Sequence, residues 1–360
     1  MVSGLLVQLR PTTPWRIAPD SGARDRVGTL FHSDSLYSAL THAMGYLGQL
    51  EDWLSATAAA QSPAVRFTSC FPFVEGTLLV TPPRNLWPPP PSPRVRWKGA
   101  RYVPLSVVEK LLKEPDGRLK EDEGWVVDSA SECLLPPPRR GKAQAPFRVT
   151  VRRSAAVDRF TGTAGEAVAT ACLEFSEGSG LWTCAAFANE ESRERWMGPV
   201  KAAFRLLSDS GFGGQRSRGW GRAAAPEFRQ GGFPDLLLAG PTEIQPVAAP
   251  AGEEGEPVAE TAPAYETGYW LLSMFRPAES DVVDWNRGAY SVVERAGRVD
   301  SPAASGAVKK SVRMVTEGSV VLAAGAPQGS VADVAPDGFA HPVYRSGHVL
   351  SIPISWRVVA

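Results

Sequence analysis

Apolar residues recur along the chain in two rhythms. "GLLVQLR" at residues 4–10 alternates in and out, as a half-buried strand does, and "PTTPWRIAPDSGARDRVGTLF" follows as a loop punctuated by proline and glycine. From His32 to Ala56 the period changes: Leu36, Ala39, Leu40, Ala43, Met44, Leu47 and Leu50 fall at helical spacing, with Ser33 or Asp34 as N-cap. "AVRFTSCFPFV" predicts a strand, "PLSVVEKLLKE" a short helix, and residues 147–175 a long hairpin around a Gly/Thr-rich turn. "LWTCAAFA" is a further strand, and residues 189–210 form a helix capped by Asn189, which Pro199 kinks or restarts. "APEFRQ" is a short strand, "YETGYWLLSMFRP" and "VRMVTEGSVVLA" are strands, and "HPVYRSGHVLSIPISWRVVA" closes the chain as a turn and a terminal strand.

The order strand, helix, strand, elaborated hairpin, helix, strand is the βαββαβ, ferredoxin-like order with long insertions. The strand-rich last hundred residues suit a degenerate second copy. The expected organisation is an N-terminal domain at 1–232, a linker at 233–264 and a C-terminal domain at 265–360. "VAAPAGEEGEPVAETAP" has four acids and no base, the composition of a linker or disordered loop. The proline-rich stretch at 82–93 reads as a stiff surface loop, or as a polyproline ligand, and 136–146 is again rich in proline and charge.

Composition narrows the function classes. At 360 residues and 43% hydrophobic the chain buries a core, and with zero net charge a nucleic-acid partner must be met by local patches. Only eight of the 38 basic residues are lysine, which coding bias explains more simply than selection for phosphate forks. Cys70, Cys133, Cys172 and Cys184 have no C-x-x-C spacing and read as reduced core residues. Without a signal peptide or a run of about 18 apolar residues, the expectation is a cytoplasmic protein with no membrane partner.

"SDSGFGGQRSRGWGRAA", residues 208–224, holds five glycines and three arginines. A Walker A loop requires a lysine that is missing here. In the dinucleotide fingerprint Arg216 stands where the third glycine belongs, and the loop follows a helix instead of preceding one. What remains is a loop of backbone amides beside Arg216, Arg218 and Arg222, with Gln215, Ser217 and Trp220 for bases or sugars. Those residues fit a phosphodiester backbone and, equally, a glycine C-cap with a solvated turn.

A second patch, residues 139–160, carries Arg139, Arg140, Lys142, Arg148, Arg152, Arg153 and Arg159 against Asp158 alone. Alternation is expected to set the bases on one hairpin face, able to lie along a single strand; the simpler reading is a solvated charge run. His32, at the start of the first helix, is the one histidine placed for RNA contact or for general acid–base work. No second catalytic group accompanies it, and no D-x-D, H-D or paired-Glu motif offers a metal site.

"GTLFHSDSLYSAL", "VTVRRSAAVDRFTGTAGEA", "SGFGGQRSRGWGR" and "HPVYRSGHVLSIPI" occur in this order. Together they resemble the RAMP superfamily of CRISPR proteins, and within it the fourth-subunit family of type III-A (Csm) effector complexes. The resemblance implies an α+β fold of two ferredoxin-like (RRM-like) domains and a non-catalytic, cofactor-free subunit in antiviral defence. Such a subunit caps the complex and holds the repeat-derived 5′ tag of the crRNA. Its implied partners are that crRNA, the large polymerase-like Palm-domain subunit and the repeated backbone RAMP subunit. Carried over by motif, Gly213, Gly214, Gln215, Arg216, Ser217 and Arg218 line the tag. Arg152, Arg153, Asp158 and Arg159 belong to a thumb-like hairpin, and His32 and Ser33 open the first helix near the RNA. The alternative is a metal-independent RAMP endoribonuclease that processes precursor crRNA, with His32 as general acid or base.

Overall fold

The structure, a computed structural model, describes residues 2–19, 22–89, 95–113, 124–137, 144–238, 265–301 and 305–357. The acidic stretch at 249–260, Arg139, Arg140 and Lys142 lie outside the described residues, as do parts of both proline-rich stretches.

The chain opens with β1 (Val2–Leu9), whose middle residues are buried, and α1 (Ser33–Tyr46). Leu36, Leu40, Ala43 and Met44 face the core of α1, as their spacing requires. The helix does not continue to Ala56. Gly48 sits at φ +72, a short α2 (Leu50–Leu54) starts anew, and Leu47 and Leu50 lie at the surface. The stretch expected as one strand is two, β2 (Val65–Phe67) and β3 (Phe71–Val74), because the Ser69 N–H turns away to the Leu272 carbonyl. Then come β4 (Thr77–Val80), β5 (Val103–Pro104), α3 (Leu105–Lys113), β6 (Val126–Asp128) and β7 (Cys133–Leu135). The long hairpin is β8 (Phe147–Ser154) and β9 (Val168–Phe175), followed by β10 (Ser179–Phe187), α4 (Glu190–Ser210) and β11 (Glu227–Phe233).

Asn189 caps α4, its Oδ1 accepting from the Ser192 N–H at 2.8 Å. The helix runs through Pro199 without a restart, because Trp196, Val200, Ala203, Phe204 and Leu207 hold one face against the core. The main sheet is antiparallel, in the order β11-β1-β10-β3-β4-β5, with β2 also on β10.

The second half comprises β12 (Tyr265–Leu271), β13 (Val283–Ala289), β14 (Val292–Arg295), β15 (Arg298–Asp300), β16 (Ser305–Val308), β17 (Val312–Val315), β18 (Val320–Ala323), β19 (Val331–Asp333), β20 (Tyr344–Ser346) and β21 (Ser351–Arg357). Its sheet is antiparallel, ordered β13-β18-β12-β21. No helix occurs among the described residues from 265 onward, so the βαββαβ order expected there is reduced to its strands. The strand order survives, however. Taking β1, β2/β3, β10 and β11 as first to fourth, and likewise β12, β13, β18 and β21, both sheets read fourth-first-third-second.

The architecture is therefore α+β with antiparallel sheets. Trp270, Leu272, Val320, Leu350, Ile352 and Ile354 of the second half join the same hydrophobic cluster as the first. All four cysteines are buried thiols. Among the described residues no helix is long and apolar enough to cross a membrane.

Candidate nucleic-acid interface

The glycine-rich loop is held tightly to the segment after β1. Phe212 turns inward and packs edge-on to Trp15 and Phe31, at 4.6 and 5.1 Å between ring centroids. The Gly214 N–H donates to the Arg16 carbonyl at 2.8 Å, the Gly221 N–H to the Pro14 carbonyl at 2.9 Å. Two glycines make this approach possible. A Cβ on Gly213 (φ +87) would lie 2.8 Å from the Arg16 carbonyl oxygen, and one on Gly221 (φ +83) 2.1 Å from that of Phe212. Close backbone packing therefore accounts for glycines beyond what a helix cap requires. The loop presents the 3₁₀ turn Arg216–Arg218, with Arg216, Ser217 and Arg218 exposed, Gln215 and Trp220 half-buried and the Arg222 side chain in solvent.

Arg16 fastens this assembly, and sequence reasoning missed it because it lies in a proline-rich stretch that reads as surface loop. Its Nη1 donates to the carbonyls of Arg24, Arg26 and Ala171 at 3.1, 3.0 and 2.9 Å, and its Nη2 to that of Ala23 at 2.7 Å. Burial, and then the neighbouring Arg24, lower its pKa. One guanidinium thus ties residues 23–26 and β9 to the segment that carries the loop.

The hairpin meets the loop at the turn end of β8, where Arg218 Nη1 donates to Ser154 Oγ at 2.8 Å. Its bases do not share one face, which corrects the expectation above. Side chains alternate along β8, so Arg148, Thr150 and Arg152 point one way and Val149, Val151 and Arg153 the other. Glu174, across the pair on β9, takes both Arg148 and Arg152 at 2.8 Å, and these bonds hold its carboxyl below the usual range. Arg153 and Arg159 are exposed and form no ion pair among the described residues. Asp158 shapes the tip. Its Oδ1 accepts from the N–H groups of Phe160 and Thr161 at 2.7 and 3.0 Å, bonds that hold the carboxyl below its usual range, and the Phe160 ring is fully exposed.

His32 and Ser33 stand apart, in the seam between the two halves. His32 Nδ1 lies 2.9 Å from Oε1 of Glu317, a buried carboxylate to which Ser69 Oγ also donates. Burial disfavours the Glu317 charge, but His32 and Ser69 together hold the carboxyl below its usual range. Ser33 Oγ accepts from the Met274 N–H at 2.9 Å, and Asp34 pairs with Arg295 and Arg345. Neither Ser33 nor Asp34 caps α1: His32 occupies the cap position, without a side-chain capping bond. No metal-binding group of three or more His, Cys, Asp or Glu occurs among the described residues.

Beside the loop opens a cleft of about 690 Å³, lined by Tyr46, Leu206, Ser210, Gln215, Arg216 and Ser217 among others. Arg216 Nη2 lies 2.5 Å from Asp300 Oδ2 on β15. Tyr46, 85% exposed at the end of α1, was not legible as a site residue. Its one signal was an aromatic placed off the helix's apolar stripe.

Residues 265–354 match the family model of the CRISPR Csm4 C-terminal domain. Comparison with curated proteins finds no match. Among solved structures, a chain of the Csm3–Csm4 subcomplex of the type III-A CRISPR-Cas interference complex is 15% identical. The alignment covers 97% of this chain and 99% of that one, with a TM-score of 0.59. Chains of the Csm1–Csm4 cassette in complex with cA4 and with pppApA are each 16% identical, with 98% of both chains covered and TM-scores of 0.54 and 0.51. At these identities the structural likeness is one of fold. Residues 265–354 thus match a Csm4 C-terminal domain, and the chain has a Csm4-like fold over its length.

Proposed function

We propose that this protein is the non-catalytic subunit of a type III-A CRISPR interference complex that caps the assembly and holds the 5′ tag of its crRNA. The observation that carries this reading is the junction of loop and hairpin. There Arg218 meets Ser154, and Arg216, Arg218, Arg222, Arg153 and Arg159 are exposed, on a chain whose net charge is zero. The shared strand order supports reading both halves as ferredoxin-like, the second having lost its helices. The large Palm-domain subunit and the backbone RAMP subunit are the partners we propose, since the structural relatives are complexes with Csm1 and with Csm3. His32, the acid–base group an endoribonuclease would need, faces Glu317 in the seam, which favours the non-catalytic reading.

The test is RNA retention. Complexes purified with Arg216→Ala and Arg218→Ala should carry less crRNA and show a flatter salt dependence, by about one unit of slope for each lost phosphate contact. Unchanged RNA content would refute the proposal. Metal-free incubation of the isolated protein with repeat-containing RNA tests the enzymatic alternative: specific cleavage lost in His32→Ala would establish it instead.

A further inference from the structure

We propose that the cleft between the end of α1, the end of α4 and the glycine-rich loop is a seat for one extruded nucleobase, stacked on Tyr46. The inference rests on the RNA-binding reading above and adds to it the place where a single base is held. Three observations converge. First, at about 690 Å³ the cleft falls in the range of sites that take small organic ligands, and it is large enough for one nucleotide. Second, Tyr46 is a large aromatic placed off the apolar stripe of its own helix. Leu36, Tyr37, Leu40 and Met44 of α1 are buried, whereas Tyr46 lines the cleft 85% exposed and makes no ring contact among the described residues. An exposed aromatic ring beside a basic single-strand path offers a π-face to any base.

Third, the other walls are chemically suited to a base and its phosphate. Leu206 contributes apolar surface, and Gln215 and Ser217 offer donors and acceptors to a base edge. Gln215 is held at φ +64, a backbone state that non-glycine residues seldom adopt, so the chain keeps an amide side chain where glycine would be easier. Arg216 stands in the same lining. With Nη2 engaged by Asp300, its Nε and Nη1 have no other partner among the described residues and are available to the phosphate.

The full-length chain is titrated against single-stranded RNA of about 12 nucleotides, within the site sizes such grooves cover. The RNA carries 2-aminopurine at one position at a time. At one position binding should quench the probe. Tyr46→Ala should abolish that quenching and weaken affinity roughly tenfold, and Tyr46→Phe, which keeps the ring, should retain both. Because Tyr46 is exposed, the alanine variant tests the site and not the fold. If RNA binds with full dependence on Arg218 and no position is quenched through Tyr46, the seat is refuted and the RNA-binding reading stands. If no RNA binds the wild-type chain, both fall.

Discussion

Arg295 grips Asp34 across the seam, its Nε donating to one carboxylate oxygen and its Nη2 to the other, each at 3.1 Å, between positions 261 residues apart. Arg345 donates to the same carboxylate, and all three side chains are buried. Burial alone would push the Asp34 carboxyl up. Arg295 and Arg345 overrule it and hold the group well below the usual carboxylate range. The two halves are thereby fixed to one another at the start of α1.

Removing that carboxylate strands two buried guanidinium groups. Asp34→Asn should lower stability by about 3–5 kcal/mol in urea unfolding. Asp52→Asn, which breaks the exposed 3.0 Å pair with Arg195, should cost less than about 1 kcal/mol. Equal losses would mean that the seam does not depend on Asp34.

The glycines of the loop are not equivalent. Gly219 has φ +76 but open space around its missing Cβ, so Gly219→Ala should cost only the left-handed backbone penalty of about 1–2 kcal/mol. Gly221→Ala adds a collision with the Phe212 carbonyl and should be far more destabilising, or displace the loop. Thermal unfolding of the two variants measures the difference, and a milder effect at Gly221 would contradict the packing described.

Glu174 neutralises charge on the hairpin. Glu174→Gln should free Arg148 and Arg152, tighten single-stranded RNA binding and steepen the slope of log affinity against log salt by up to about one unit. A binding isotherm series over salt reads this directly, and weaker binding in the variant would show that the pairs orient the hairpin instead.

His348 makes stability depend on pH. Burial, and then the charge of Arg66, push its pKa from 6.5 down to about 4. Below pH 6.5 the unfolded chain takes up a proton that the folded one refuses. The contribution is complete above 6.5 and is lost as pH falls toward 4, by about 3 kcal/mol at 1.36 kcal/mol per pH unit. Asp34 and Glu317 act with the same sign but at lower pH, below their ordinary values of 3.8 and 4.5. Denaturation of His348→Gln between pH 6.5 and 4.5 should show a flattened profile; an unchanged slope would assign the effect elsewhere.

Much of the scaffold was legible in residue order. The buried stripe of α1, the Asn189 cap of α4 and the β8–β9 hairpin all follow from interactions within a few residues, where periodicity and capping act. The glycine-rich loop was legible as a feature, and its exclusion from nucleotide chemistry needed only the missing lysine and the helix before it. The division of β2 from β3 was not, since it turns on the Ser69 N–H, whose partner is the distant Leu272 carbonyl, and the helix break at Gly48 was missed although its bonds are local.

The sequence by itself thus determined α3, α4 and the first part of the long N-terminal helix, about half of the described strands, the order of the motifs and the family they resemble, because short-range backbone preference and side-chain periodicity are written locally. Only the tertiary structure decided that Arg16 anchors the loop, that Glu174 cancels two hairpin arginines, and that His32 and Asp34 belong to the seam. It alone placed Tyr46 at a cleft beside Arg216. Those roles depend on which surfaces meet, and residues far apart in the chain acquire charge partners and cavities only when the two sheets close on a shared core.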